Sequence, residues 1–91
     1  MFEYDSEKSA INLLKHGIDF EAAQILWEDS YRIDAPATSI DEARRMVIGQ
    51  INGKLWAAIV MDREDKVRII SVRRARERET MEYDRQKDFG C

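Results

Sequence analysis

The residues best suited to chemistry are arginines concentrated in one short stretch. Residues 66–79 read KVRIISVRRARERE, whereas the whole chain has a formal net charge of −3. The basic residues of this stretch are Lys66, Arg68, Arg73, Arg74, Arg76 and Arg78. A local basic cluster on an acidic chain predicts a site for an anion. Because the arginine guanidinium matches the oxygens of a phosphate, we expect this stretch to form an RNA-handling surface.

Proton transfer needs a different side chain, and the chain has one histidine, His16. Histidine titrates near neutral pH, so it suits a general acid or base at a ribose hydroxyl or a leaving oxygen. His16 follows Lys15 and precedes Gly17, an order that is also typical of the last turn of a helix. Both interpretations, a catalytic residue and a helix-terminal residue, stay open from the sequence.

Length and composition set the broad class. The 91 residues, 44% of them hydrophobic, predict one small domain over residues 1–91 with a single core. The one cysteine, Cys91, excludes a disulfide within the chain and favours a reducing compartment. No apolar run approaches the roughly 20 residues of a membrane span, and the first residues do not resemble a secretory signal. We therefore expect a cytoplasmic protein that does not bind membranes.

The usual cofactor and metal signatures are absent from the sequence. It contains no P-loop, no GxGxxG and no cysteine–histidine pair with the spacing of metal ligands. We expect neither a cofactor nor a metal site.

Apolar periodicity predicts an α+β domain in which two N-terminal helices and a C-terminal helix pack on one face of an antiparallel meander sheet. The predicted strands are 2–4, 28–33, 45–51, 54–61 and 66–73, and the predicted helices are 7–16, 19–27 and 75–87. Asn52-Gly53 between two apolar runs indicates a hairpin turn. Residues 35–41 read as a loop, in which Pro36 interrupts strand pairing.

The same patterns predict which side chains share a face. In the first helix, the spacing of the apolar residues gives one apolar face made of Ala10, Ile11, Leu13 and Leu14. Strict alternation along the last strand gives one face of Val67, Ile69, Ser71 and Arg73, and another of Arg68, Ile70, Val72 and Arg74. The last helix has few apolar residues, and we expect it to lie loosely on the sheet or against a partner.

The order of these features resembles the BrnT-type toxins of bacterial type II toxin–antitoxin modules over nearly the whole chain. The matching positions are Phe2 to Asp5, Lys8, Asn12-Leu13, Lys15 to Ile18, Phe20 to Ala23, Arg45, Gly49, Arg68 to Ala75, Glu79 and Tyr83. Glu77, Thr80 and Met81 depart from the basic residues that are common in the family. The resemblance implies a RelE-like fold and metal-independent RNA cleavage that inhibits translation.

The resemblance also implies a partner. A cognate antitoxin similar to the ribbon-helix-helix BrnA proteins would form a hetero-oligomer with the chain, and DNA would be contacted only through that antitoxin. A direct DNA-binding role is weaker, because no helix-turn-helix or ribbon-helix-helix pattern occurs in the sequence. The alternative to a nuclease is a non-catalytic partner-binding or co-repressor module with a degraded active site.

Our hypothesis for the site divides the residues into two groups. The predicted catalytic residues are Lys15, His16, Arg45, Arg68 and Arg73. The predicted RNA-binding residues are Ser71, Arg74, Arg76, Arg78, Glu79 and Tyr83. In this hypothesis Arg45, Arg68 and Arg73 stabilise charge on the phosphate, and His16 transfers the proton with Glu42 as an alternative base. Arg45 as a surface charge and Arg68 as half of a structural ion pair remain open.

Overall fold

The computed structural model describes residues 1–37 and 43–89. Its elements are β1 (Phe2–Glu3), α1 (Ser6–His16), α2 (Phe20–Ala23), a 3-10 helix (Gln24–Glu28), β2 (Ile33–Pro36), β3 (Arg44–Ile51), β4 (Lys54–Arg63), β5 (Lys66–Arg74) and α3 (Glu77–Phe89). Three α-helices and a five-stranded sheet in the described residues confirm the broad α+β class.

The sheet has the strand order β1-β5-β4-β3-β2. Strands β2 to β5 form the predicted antiparallel meander, and the hairpin between β3 and β4 turns at Asn52 and Gly53, both with positive φ. Strand β1 departs from the prediction because it pairs with β5 in parallel. The N-terminal residues therefore extend the sheet beside its C-terminal strand.

Both faces of the sheet carry helices, so the prediction that all helices pack on one face is wrong. On one face, here called the α2 face, Phe20 and Leu26 pack with Val47, Val60 and Val72. The opposite face, here called the α3 face, holds a smaller cluster of Ile48, Ala57 and Tyr83. Apolar side chains of β3 and β4 point to both faces of the sheet, so each face has apolar surface that a helix can bury.

Helix α1 has the predicted ends but not the predicted buried face. Asp5 accepts hydrogen bonds from the amides of Glu7 and Lys8, and Gly17 ends the helix in the left-handed region. Its apolar side chains face solvent: Ile11 is 57% exposed, Leu13 48% and Leu14 89%. The buried residues of this helix are polar.

Those polar residues are Ser9 and Asn12, and they bind backbone groups. Asn12 Nδ2 donates to the carbonyls of Ile18 (2.7 Å) and Val72 (2.9 Å), while its Oδ1 accepts from the amide of Val72 (3.2 Å). Strand β1 pairs with β5 only near Val67, so the edge of β5 is open beyond that point. Asn12 satisfies the edge there in place of a strand, which is why a polar face of α1 is buried.

Strand β5 contains a bulge that changes the predicted faces. Ile59 pairs with Ser71, but the next residue, Val60, pairs with Ile69, which leaves Ile70 as an extra residue. A bulge shifts the alternation by one position. Val72 therefore joins Ile69 in the core of the α2 face, whereas Ser71 and Arg73 lie on the α3 face. The predicted grouping of Ser71 with Ile69 is wrong for this reason.

The region between the second helix and β3 also differs from prediction. The predicted helix 19–27 is divided into α2 and the 3-10 helix, and the predicted strand 28–33 begins instead at Ile33. Pro36 pairs with Arg45 rather than interrupting the ladder. Proline is tolerated there because β2 is an edge strand. Most of the predicted loop, from residue 38 onward, lies outside the described residues.

Candidate functional site

The α3 face carries a hollow of about 840 Å³ where an apolar floor meets a charged rim. Strands β2, β3 and β4 supply the floor, which consists of Ile33, Ala35, Pro36, Met46, Ile48 and Ile59. Strand β5 and the first turns of α3 supply the rim, which consists of Ser71, Arg73, Arg76, Arg78, Glu79 and Glu82. The floor was not predicted, because its residues come from separate strands and the sequence does not indicate how much of the sheet α3 covers.

Arg73 is held in the rim by a two-point ion pair. Its Nη1 and Nη2 donate to Oε1 and Oε2 of Glu79, each at 2.8 Å. Hydrogen bonding to Glu79 raises the pKa of Arg73, and hydrogen bonding from Arg73 lowers the pKa of Glu79 against the opposing effect of burial. Both groups are therefore charged near neutral pH, and an incoming anion would compete with Glu79 for the guanidinium.

Glu79 also stabilises the start of α3. Its Oε1 accepts a hydrogen bond of 2.8 Å from the backbone amide of Arg76, the residue before the helix. This contact, from the third helical residue back to the cap amide, is half of a capping box. The side chains of Arg76 and Arg78 are exposed on the same rim, and neither forms an ion pair within the described residues.

Tyr83 packs α3 against the sheet and is buried. It is 2% exposed, and its hydroxyl donates to Asp29 at 2.7 Å. The same carboxylate accepts from the amides of Tyr31 and Gln50. Burial opposes ionisation of Asp29, but these hydrogen bonds outweigh burial and lower its pKa. An RNA strand could reach the Tyr83 hydroxyl only if α3 moved.

Arg45 lies outside the hollow. It pairs across the sheet with Val60 on the α2 face, and its guanidinium binds Asp34 and Asp62, the latter at 2.9 Å and 3.1 Å. The hydrogen bond to Asp34 is the main cause of the raised pKa of Arg45.

Arg68 lies on the α3 face but at the other end of β5. It forms an ion pair with Glu3 of β1 at 3.4 Å, which is the structural alternative that the sequence left open. Arg73 is five positions further along the strand, a distance of about 15 Å at the usual rise. The three predicted phosphate-binding arginines therefore lie in three separate places, each with a carboxylate partner.

Lys15 and His16 occupy the exposed end of α1, and this end is on the α2 side of the sheet. Asn12 joins the carbonyl of Ile18 to Val72, which fixes the chain just after His16 beside β5. Within the described part of the chain, neither side chain makes a hydrogen bond or an ion pair. The structure thus separates Lys15 and His16 from the hollow.

Arg74 points away from Arg73, toward the α2 face. Its guanidinium lies 5.4 Å from the ring centroid of Trp56, and its Nε donates to the carbonyl of Leu55 at 3.3 Å. Trp56 itself belongs to the buried core of the α2 face, and the sequence gave it no role beyond its place in an apolar strand.

In residues 1–37 and 43–89, no group of three or more His, Cys, Asp or Glu side chains is arranged to hold a metal ion. No helix in these ranges has the length and apolar character needed to cross a membrane. Glu42, the predicted alternative base, and Cys91 lie outside the described residues.

The geometry defines a class of protein: a small α+β domain with an acidic overall charge and an arginine-rimmed hollow on one sheet face. Residues 4–79 match a family model described as "Ribonuclease toxin, BrnT, of type II toxin-antitoxin system", and the chain belongs to this family. The match confirms the family that the sequence resembles. No curated protein matches the chain. Family membership makes the chain a ribonuclease toxin and implies an antitoxin partner.

Proposed function

We propose that the chain cleaves RNA in the hollow of the α3 face without a metal ion, and that this cleavage inhibits translation. The observation that carries the proposal is the rim itself. It brings the Arg73–Glu79 pair next to Arg76 and Arg78, two cations without an ion pair among the described residues. Guanidinium groups can neutralise the charge that develops on a phosphate during cleavage, which is the task a metal ion performs elsewhere.

The proposed reaction begins with an exchange of partners. Arg76 and Arg78 attract the RNA backbone, and a phosphate replaces Glu79 on the guanidinium of Arg73. The displaced Glu79 carboxylate then accepts the proton of the ribose 2′-hydroxyl. The 2′-oxygen attacks phosphorus, the bond to the 5′-oxygen breaks, and the leaving oxygen takes a proton from water. The products are a 2′,3′-cyclic phosphate and a 5′-hydroxyl end.

His16, the residue that the sequence predicts for proton transfer, would instead put cleavage at a different location. Because it lies on the other side of the sheet, it could act only on RNA bound at the end of α1. Comparing Arg73→Ala and His16→Ala therefore locates the reaction. If the hollow is the site, Arg73→Ala lowers kcat by roughly 10²- to 10³-fold, whereas His16→Ala leaves kcat near that of the parent.

The assay is cleavage of a labelled RNA by the purified chain in the presence of a chelator. Arg63→Ala is a suitable control, since it removes an exposed arginine that does not line the hollow, and its partner Glu3 keeps the ion pair with Arg68. Circular dichroism checks that each variant is folded. If His16→Ala abolishes cleavage while Arg73→Ala does not, the hollow is not the site. Activity that disappears with the chelator and returns with a divalent cation would contradict the metal-free mechanism.

We further propose that the antitoxin is a ribbon-helix-helix protein of the BrnA type and that this partner contacts the operator DNA. Expression of the chain alone should then arrest growth, and co-expression of the neighbouring gene should restore it. Pull-down of the chain with that gene product tests the hetero-oligomer directly.

A non-catalytic, partner-binding module is the second candidate. The observation in its favour is that Arg45, Arg68 and Arg73 are all neutralised by carboxylates. Growth arrest that survives Arg73→Ala and Glu79→Gln, with no RNA cleavage by the purified chain, would support this candidate over the nuclease.

A further inference from the structure

Two consecutive arginines at the end of β5 serve different faces of the sheet. Arg73 lies in the rim of the hollow and is neutralised by Glu79. Arg74 lies on the α2 face, exposed, with its guanidinium over the Trp56 ring. Within the described residues it has no carboxylate partner. The end of β5 therefore carries one guanidinium that is paired with a carboxylate and one that has no such partner among the described residues.

Further basic residues line or flank a small hollow beside Trp56, which is itself only 9% exposed. The hollow has a volume of about 260 Å³ and is lined by Gly17, Lys54 and Trp56 among others. Lys54 is exposed at the hairpin, and Gly17 directly follows the exposed Lys15 and His16. We call Lys15, His16, Lys54, Trp56 and Arg74 the Trp56 patch.

The position of the patch is fixed by the core of the protein. The side-chain amide of Asn12 donates to the carbonyls of both Ile18 and Val72. This holds the end of α1 beside Val72, which lies two residues before Arg74 in β5. Asp19, the nearest acidic residue to this end of α1 in sequence, accepts the amide of Ala22 as the cap of α2. Among the described residues, Lys15, Lys54 and Arg74 make no ion pair with a carboxylate, so their charge is available to an external anion.

The chemistry of the patch fits a single-stranded nucleic acid. Like charges held near each other repel, and a phosphate placed among them relieves that repulsion. The guanidinium of Arg74, which lies 5.4 Å from the centroid of the Trp56 ring, also offers a flat cationic surface on which a base can stack. A single-stranded nucleic acid provides both groups, because phosphates and bases alternate along it.

We propose that the Trp56 patch binds the RNA strand next to the scissile phosphate, so that the substrate crosses the end of β5 from the hollow to the α2 face. This inference rests on the proposed function, because it takes RNA as the substrate. It adds a binding site on the opposite face of the sheet from the proposed chemistry.

The test compares Lys54→Glu and Arg74→Gln with Lys8→Glu. Lys8 is an exposed lysine at the other end of α1, so Lys8→Glu makes the same charge change as Lys54→Glu outside the patch. Binding is measured by fluorescence anisotropy with an RNA of roughly 12 nucleotides. Each variant is made in an Arg73→Ala background so that the RNA is not cut.

We expect the combined patch variant to bind RNA at least about tenfold more weakly than the background protein. The slope of its log affinity against log salt concentration should also be shallower, by about 0.7 for each phosphate that the variant no longer binds. Lys8→Glu should bind within about twofold of the background protein. In the catalytically intact chain, the patch changes should raise KM more for the long RNA than for a trinucleotide.

The three outcomes separate this inference from the proposed function. Equal affinity of the patch variant and Lys8→Glu, in a chain that cleaves RNA, overturns the patch and leaves the nuclease intact. Patch-dependent RNA binding by a chain that never cleaves RNA supports the patch and overturns the nuclease. A chain that neither binds nor cleaves RNA overturns both.

Discussion

Replacement of Asn12 by alanine should destabilise the chain more than replacement of any exposed leucine on the same helix. Alanine removes the two donors that bind Ile18 and Val72 and the acceptor that binds the Val72 amide. Each buried polar group left without a partner costs about 1–3 kcal/mol. Water can enter beside an alanine and satisfy part of the set, so we expect a loss of about 2–4 kcal/mol in the free energy of unfolding.

Leu14→Gln is the matched comparison, two residues further along α1. Leu14 is 89% exposed, and substitutions at such positions usually change stability by no more than about 0.5 kcal/mol. Asn12→Asp gives a further check. It keeps an acceptor for the Val72 amide but turns a carboxylate toward two carbonyl oxygens, so it should be at least as destabilising as alanine at neutral pH.

Urea unfolding followed by the fluorescence of Trp27 and Trp56 measures these effects, with extrapolation to water at a constant m value. A loss below about 1 kcal/mol for Asn12→Ala, together with a loss above about 1.5 kcal/mol for Leu14→Gln, would refute the reasoning. That result would mean that α1 buries its apolar residues, as the sequence pattern alone predicts.

Two further predictions concern the rim and the core. Because the pKa of Glu79 is lowered in the folded chain, its ion pair stabilises the fold above the unfolded pKa of about 4.3 and is lost as the pH falls through the lower folded value. The difference in unfolding free energy between the parent and Glu79→Gln should therefore narrow from pH 7 toward pH 3, and a constant difference in urea unfolding would contradict it. Gly49→Ala should cost about 1–2 kcal/mol, because its Cβ would lie 3.2 Å from Cδ2 of the fully buried Leu26; an unchanged melting temperature would show that the contact can relax.

Features that depend on neighbouring residues were predictable from the sequence. The Asn52-Gly53 turn and the Gly17 end of α1 are confirmed because their signals are local. The faces of β5 were not predictable, since the bulge at Ile70 is set by pairing with β4. The burial of Asn12 likewise depends on a strand edge that lies 60 residues away in the sequence.

The ion-pair partners of the arginines also differ in whether the sequence could predict them, depending on their distance along the chain. Glu79 lies six residues from Arg73, across one turn, and the sequence placed both in one surface. Glu3 lies 65 residues from Arg68, and its approach depends on the parallel pairing of β1 with β5. The sequence therefore indicated a basic segment correctly, but it could not show which of its charges are already neutralised inside the fold.

An occupied guanidinium changes how the hollow would select its ligand. A phosphate that binds Arg73 must replace two hydrogen bonds of 2.8 Å and also release the carboxylate that caps α3. The hydrogen bonds that a single phosphate makes to Arg73 stabilise it little more than the two bonds to Glu79 that they replace. Small anions should therefore bind weakly. A strand that also reaches Arg76, Arg78 and Arg74 gains contacts that displace no carboxylate of the described residues. Under the proposed function, the Arg73–Glu79 pair thus favours a polynucleotide over free phosphate.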